Sequence, residues 1–242
     1  MTEAGIRIIL VRPKENKNIG AVCRAMKTMG LDSLYIVGGE KIDRAEAAIT
    51  AVHAVDVLDR AVLCTTVEEA VGDSVLVAGI TRRRGRWRKY FAITPDQLTE
   101  RIARVEAGTC SLVFGNEAAG LNAADLSRCH LSVRIPSSSR FPSLNLSHAV
   151  QIIGYELFRL RGGSRRTKKY LPISGGELEK LVSLMLASLT AIGFFSQGDP
   201  GEMGVFLRDI FARAMLEQRE AERLARIFRK ISGLIARRPI DP

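Results

Sequence analysis

No apolar run in the 242 residues approaches the roughly 18–20 needed to cross a bilayer, which excludes a membrane span by pattern. The opening MTEAGIRIILVRPKENK holds a four-residue apolar run, Ile8–Val11, and no small-residue cleavage site, so no secretory signal is expected. The four cysteines, Cys23, Cys64, Cys110 and Cys129, lie far apart and form no CxxC pair. They offer neither a zinc site nor a redox motif. Each sits among aliphatic residues, as a small buried hydrophobe does, and the set reads as reduced thiols of a cytoplasmic protein. Neither GxGxxG after the first strand nor GxxxxGK[ST] occurs, so the two usual phosphate-cradling loops are missing. His53, His130 and His148 are isolated, with no HExxH, and there is no GxSxG elbow. A metal centre and a serine-hydrolase triad are both without support.

What is present is a core and a charge. Hydrophobic residues make up 46% of the chain, enough to fold, and the formal net charge is +10. Two dense basic clusters stand out: Arg82, Arg83, Arg84, Arg86, Arg88 and Lys89, then Arg161, Arg165, Arg166, Lys168 and Lys169. A single such run is as readily a solvated surface. Two, with almost no acid between their members, favour a polyanion, and nucleic acid is the commonest one.

Residues 1–160 alternate short β-rich runs with helical patterns. The expected strands are Ile6–Val11, Ser33–Val37, Val62–Cys64, Ser74–Ile80, Cys110–Phe114 and Leu131–Ile135. Most are continuously apolar, as strands buried on both faces of a parallel sheet are. Capping boxes at Thr66–Glu69 and Thr94–Gln97, and Asn122 as a cap, mark helix starts between them. A stripe of Leu146, Ala149, Val150, Ile153, Leu157 and Leu160 predicts one long helix. Residues 161–175, RGGSRRTKKYLPISG, read as a basic linker, and 176–242 as a helical extension with starts at Ser174–Glu177 and Asp199–Glu202. Its third helix has a face of Leu224, Ile227, Phe228 and Ile231. Three short helices bury little alone, so they are expected to pack on the first domain or on a second chain.

Three segments carry candidate chemistry. In Asn16–Lys27, Asn18 is placed to cap a helix whose buried stripe is Ile19, Val22, Cys23 and Met26. Arg24 then projects roughly 150° from that stripe. By position alone it is a solvated arginine; near a helix start it is also suited to face a phosphate. In Leu112–Leu121 a strand runs into Gly115, Asn116, Glu117 and Gly120, where glycine lets a ligand approach the backbone. A plain turn fits as well. In Phe141–Val150, Ser143 and Asn145 precede the striped helix, where a cap is the ordinary reading.

Taken together, N-x-G-A-V-x-R-A-M-K, F-G-N-E-x-x-G-L and S-L-N-L-S-x-A-V resemble, in order and spacing, the SPOUT superfamily of RNA methyltransferases, and within it the TrmJ-type tRNA 2′-O-methyltransferases. The likeness continues through Ile192–Phe211. The resemblance implies an α/β fold with a parallel sheet and a deep trefoil knot, a small all-α extension, and a homodimer with active sites near the subunit interface. It implies S-adenosylmethionine held by Gly79, Ile80 and Thr81, by Gly115, Asn116 and Glu117, and by Ile135 with Pro142, Ser143 and Leu144. Such a donor has no pyrophosphate, which accounts for the missing glycine fingerprint.

The reaction implied is attack of a ribose 2′-hydroxyl on the donor methyl, at the pyrimidine at position 32 of the tRNA anticodon loop. Arg24 is expected beside the hydroxyl or its neighbouring phosphate as an electrostatic stabiliser, since free arginine stays protonated far above neutral pH. Ser143 is the second catalytic candidate, with Asn18 and Asn145 fixing their two elements and Glu117 shaping the donor loop. Arg83, Arg84 and Arg86, together with Lys168 and Lys169, are expected to grip RNA phosphates. Trp87 and Tyr90 are placed to stack a base, or simply to pack. The alternatives are a 2′-O-methyltransferase acting on ribosomal RNA or another tRNA site, and an RNA-binding protein without catalysis.

Overall fold

Most of the aliphatic runs of the amino-terminal portion become buried strands, while Val62 and Leu63 stay exposed on an edge strand. A computed structural model describes residues 4–39, 42–82, 92–162, 171–195 and 199–235. The chain divides into two compact units, 1–170 and 171–242. In the first, the order is β1 (Gly5–Val11), α1 (Asn16–Thr28), β2 (Ser33–Val37), α2 (Arg44–Ala51), a 3₁₀ turn (Val52–Ala54), α3 (Val55–Asp59), β3 (Val62–Cys64), α4 (Val67–Val71) and β4 (Ser74–Ile80). There follow β5 (Ala92–Ile93), α5 (Pro95–Ile102), β6 (Thr109–Phe114), α6 (Ala123–Ser127), β7 (Leu131–Val133) and α7 (Leu146–Gly162).

The seven strands form one sheet in the order β3-β2-β1-β6-β4-β7-β5, with every neighbouring pair parallel. Ile8, Ile9, Leu10, Val77, Leu112 and Val113 are wholly or nearly wholly inaccessible, as the continuous apolar runs require. The register aligns the strand ends. Leu10 and Ile80 both stand opposite Phe114, and Ile80 stands opposite Val133, so the carboxyl ends of β1, β4, β6 and β7 are level. The loops leaving these ends crowd one edge, where open α/β sheets bind ligands.

Differences from the sequence expectations are local. The strand expected to reach Ile135 stops at Val133, and β5 and the α2–α3 pair have no sequence signal. The Thr66 hydroxyl caps Glu69 N, but the Glu69 carboxylate returns to the amide of Thr65 rather than of Thr66. α1 and α2 meet closely at Gly20, where a side-chain Cβ would fall 1.9 Å from the Ala47 carbonyl oxygen. All four cysteines are buried thiols outside any disulfide, and burial pushes Cys23 and Cys110 up to about 12.

One charge lies inside the sheet. Arg7 of β1, 8% exposed, donates to both carboxylate oxygens of Asp73 (2.6 and 2.9 Å) and to the Ala70 carbonyl, and its guanidinium stacks 4.1 Å from the Tyr35 ring centre. The bonds from Arg7 hold the Asp73 carboxyl below its ordinary range against the opposing effect of desolvation. A depressed acid stabilises the fold while ionised. That contribution is present at neutral pH and disappears as pH falls below about 4 and through the folded-state value. Asp73→Asn should therefore lower unfolding stability by about 1.5–3 kcal/mol at pH 7, toward the smaller figure because Asp73 is 63% exposed. The gap between variant and wild type in urea melts should close in acid.

The second unit contains α8 (Gly175–Ala191), α9 (Pro200–Ala214) and α10 (Gln218–Ile235). Ser174 and Glu177 exchange bonds as a capping box, and Asp199 caps α9 through Gly201 N. Leu178, Leu181, Val182, Met185, Ala212, Leu216 and Ala221 form a core of the unit's own. The three helices thus bury more among themselves than their separate lengths suggest.

Candidate active site

A cavity opens at the level edge of the sheet. It is lined by Ile80, Thr81 and Arg82 after β4, by Phe114–Gly120 after β6, by Ile135, Pro142, Ser143 and Leu144 after β7, and by Leu146 and Ala149 of α7. Nine of the ten residues expected at the donor, Ile80, Thr81, Gly115, Asn116, Glu117, Ile135, Pro142, Ser143 and Leu144, are on its wall. Gly79 is not. It is buried in β4, where an added Cβ would fall 2.9 Å from Cys129 Sγ, so its smallness serves the strand's packing against Cys129 and Leu126.

The β6 loop is built by backbone. A Cβ on Gly115 would sit 2.0 Å from the Gly120 carbonyl carbon and 2.2 Å from Leu121 N. Gly120 has φ of +68°, which glycine adopts without strain. Between them Asn116 Oδ1 accepts from the amides of Ala118 and Ala119 (3.1 and 2.7 Å), and Asn116 O from Gly120 N. The turn folds on itself and leaves its outer face to the cavity.

Glu117 connects this loop to α1. Its carboxylate accepts from Lys14 N (3.0 Å), Glu15 N (3.4 Å) and Asn18 Nδ2 (2.9 Å). Burial pushes the carboxyl up, but its own amide, Asn18 and the two other backbone donors outweigh this and hold it below the usual range. Asn18 Oδ1 in turn accepts from Asn145 Nδ2 (3.0 Å), and Asn145 Oδ1 from both the amide and the hydroxyl of Ser147. Glu117, Asn18, Asn145 and Ser147 are therefore one chain of bonds through all three motif segments. Asn18 does not cap α1, contrary to the sequence expectation. Glu15 occupies that place, Asn18 lies inside the first turn, and its amide spans the two loops.

Arg24 and Ser143 are both exposed. Ser143 lines the cavity; Arg24, Asn18 and Asn145 do not. Among the described residues Arg24 has no hydrogen bond or ion pair, while Ile19, Val22, Cys23 and Met26 beside it on α1 are buried. Arg83, Arg84, Arg86, Trp87, Tyr90, Lys168 and Lys169 lie outside the described residues.

Sequence reasoning missed two contributors. Arg82 belongs by sequence to a basic run, yet it stands on the cavity wall. Arg12, directly after β1, takes a left-handed backbone (φ +51°), a conformation costing about 1–2 kcal/mol for a non-glycine residue. Its guanidinium pairs with the buried Asp125, which also accepts from Asn122 N at the end of the β6 loop. The short segment from Arg12 to Asn18 thus holds that loop twice. A pair 113 residues apart leaves no local signal.

Comparison with known proteins identifies relatives of the chain and of its fold. The model of the SpoU rRNA methylase family matches residues 5–155. The tRNA (cytidine-2′-O-)-methyltransferase TrmJ of Methanocaldococcus jannaschii is 39% identical over 72% of this chain and 75% of its own. The tRNA (cytidine/uridine-2′-O-)-methyltransferase TrmJ of Yersinia pestis is 35% identical over 89% and 86%. The crystal structure of TrmJ from Z. mobilis ZM4 superposes with a TM-score of 0.74 at 30% identity, over 96% of this chain and 99% of that one. With its three motif segments joined by one chain of hydrogen bonds and its family match covering most of its length, this chain belongs to the SpoU rRNA methylase family.

Proposed function

We propose that this chain methylates the 2′-oxygen of a ribose in tRNA, with S-adenosylmethionine as donor and the pyrimidine at position 32 of the anticodon loop as target. The observation that carries the reading is the Glu117–Asn18–Asn145–Ser147 chain, which brings the donor loop, the Arg24 helix and the Ser143 segment to one place. The named activities of relatives matching along most of the chain point the same way.

The cavity residues suit this donor. Ile80, Ile135 and Leu144 would offer apolar walls to an adenine, the glycine-bearing turn would offer backbone, and the ionised Glu117 would add negative charge near a bound sulfonium. When bound, the donor would supply a methyl group activated on a positively charged sulfur, and the proton lost by the 2′-hydroxyl would pass to solvent. The chain's residues have the other half of the task, aligning a poor oxygen nucleophile. Arg24, permanently charged, favours negative charge developing on that oxygen; Ser143 orients the donor or the hydroxyl. Asn18 and Asn145 act through these two by holding their segments in register.

Arg24 is absent from the cavity wall of its own chain, and the exposed Tyr155 and Phe158 of α7 leave an apolar surface. Both support a homodimer in which a second copy completes the site. In this reading residues 1–160 are the methyltransferase domain, with its three loops knotted, 161–175 a basic linker and 176–242 an extension. Arg83, Arg84, Arg86, Lys168 and Lys169 grip RNA phosphates. No helix among the described residues is long and apolar enough to cross a membrane. An enzyme acting on tRNA would work in the cytoplasm.

The test is methyl transfer from labelled donor to total RNA, followed by mapping of the product. Ribose methylation at pyrimidine 32 of tRNA is expected. Label confined to ribosomal RNA would overturn the tRNA assignment, and absence of donor binding in calorimetry would leave only an RNA-binding protein.

A further inference from the structure

Among the described residues the most exposed large apolar side chain is Phe141, at 79%. A single exposed phenylalanine is ordinary on a protein surface. The setting of this one is not. Phe141 belongs to the segment between β7 and α7, and Pro142, Ser143 and Leu144, which follow it directly, line the cavity. Its own side chain is not on the wall. Cα atoms two residues apart are separated by no more than about 7 Å, so the ring is anchored within that distance of Ser143. The segment is tied down by its own bonds. Ser137 Oγ donates to the Pro142 carbonyl (3.1 Å), and Arg140 N donates to Ser138 Oγ (3.2 Å). They close a short loop whose tip, residues 138–141, is exposed throughout.

That tip offers one ring and one charge. Arg140 is exposed, and its guanidinium has no hydrogen bond or ion pair among the described residues. Ser138 and Ser139 complete the tip with short polar side chains. A protein partner needs a contiguous apolar centre to its interface, and the residues before the ring supply none. A cation beside an exposed aromatic ring matches a nucleotide instead, which brings a phosphate and a flat base. Place supports chemistry. A ribose presented at Ser143 carries its base on C1′, the carbon next to the one bearing the reacting oxygen, so the base falls toward the loop tip. Proteins that take hold of an RNA loop splay its bases out and stack them on aromatic side chains.

We propose that Phe141 is the platform on which the base of the methylated nucleotide stacks, while Arg140 holds an adjoining phosphate. The inference rests on the proposed tRNA methylation and assigns the element that seats its target. Stacking accepts any base, because each has a π-face. The platform therefore fixes where the ribose lies and leaves the choice of nucleotide to other contacts. It also favours loops over helices, since a base kept in a duplex is not free to reach the ring.

The experiment uses the full chain and a tRNA transcript assembled with 5-iodouridine at position 32, a base that photocrosslinks to an aromatic ring stacked on it. Irradiation should join position 32 to Phe141, as mapped by mass spectrometry, and Phe141→Leu should lose the crosslink. With unsubstituted transcript, Phe141→Leu should lose about fivefold to a hundredfold in kcat/KM for tRNA, the range that one base–aromatic stack represents. Phe141→Trp should stay near wild type, because tryptophan keeps a π-face where leucine keeps only apolar bulk. Donor affinity in calorimetry and melting temperature should be the same in both variants, the ring being exposed and off the cavity wall. Arg140→Ala should make the log–log salt slope of tRNA binding shallower by about 0.7, one single-strand phosphate contact. Wild-type kcat/KM in Phe141→Leu, a crosslink to another residue, or an unchanged slope in Arg140→Ala would overturn the proposal. A change of oligomeric state in Phe141→Leu would assign the ring to a contact between copies and overturn it too. A wild type that crosslinks through Phe141 and never methylates the tRNA would refute the proposed activity and leave the platform standing.

Discussion

Arg24→Ala should bind S-adenosylmethionine with unchanged affinity and lose about a hundredfold to a thousandfold in single-turnover methyl transfer. That range is what removing one preorganised stabiliser of developing oxyanion charge takes from a reaction. The separation between binding and rate comes from position. Arg24 is exposed on α1, outside the cavity wall, and without a partner among the described residues, so nothing that shapes the cavity depends on it. Its loss should move stability by no more than about 0.5 kcal/mol, as at other surface sites. Arg24→Lys should recover part of the rate, since it restores the charge without the planar fork. Calorimetry, rapid-quench kinetics and a thermal melt on the same preparations check all three; a variant with wild-type turnover would remove Arg24 from the chemistry.

Gly115→Ala is expected to abolish detectable donor binding. The added carbon would lie 2.0 Å from the Gly120 carbonyl carbon, 2.2 Å from Leu121 N and 2.5 Å from Gly120 O. All three atoms are backbone, so no rotamer change relieves the overlap, and the β6 loop must open. Opening would also strain the bonds from Glu117 to Lys14 N, Glu15 N and Asn18. Gly120→Ala is the informative contrast. Its Cβ would meet nothing within 4 Å, and the penalty is confined to the positive φ, about 1–2 kcal/mol. It should weaken donor binding roughly tenfold without abolishing it. Equal behaviour of the two variants would show that the loop's tightness is not what forms the donor seat.

These expectations depend unequally on what can be read from the chain before folding. A strand such as Ser74–Ile80 is legible to the residue, because burial on both faces leaves an almost wholly apolar run in the sequence. Ala92–Ile93 is not: two residues, one of them exposed, exist as a strand only because Ser132 and Val133 stand beside them. The α2–α3 pair escapes for another reason, since the chain breaks at Val52, a β-branched residue at φ +54° that no propensity favours.

In the site, the glycines and polar residues are visible as three separate segments, a helix start, a turn after a strand and a cap before the striped helix. Their convergence is legible only through family resemblance, because the Glu117–Asn18 and Asn18–Asn145 contacts span 99 and 127 residues. Asn18 shows the limit of local reasoning. A polar residue near a helix start looks like a cap, and here distant partners claim its amide instead.

The order of strands has a consequence during synthesis. β1 sits at the heart of the sheet, yet its neighbour on one side, β6, begins more than a hundred residues later, with Gly5 paired to Thr109. A growing polypeptide emerging at about 5–20 residues per second must carry Ile8, Ile9 and Leu10 without their central partner for several seconds. Through that interval the nascent chain exposes an apolar strand edge, the surface most prone to misassembly. Chaperone engagement of the ribosome-bound chain should therefore be strongest before Phe114 clears the exit tunnel and drop once β6 can insert.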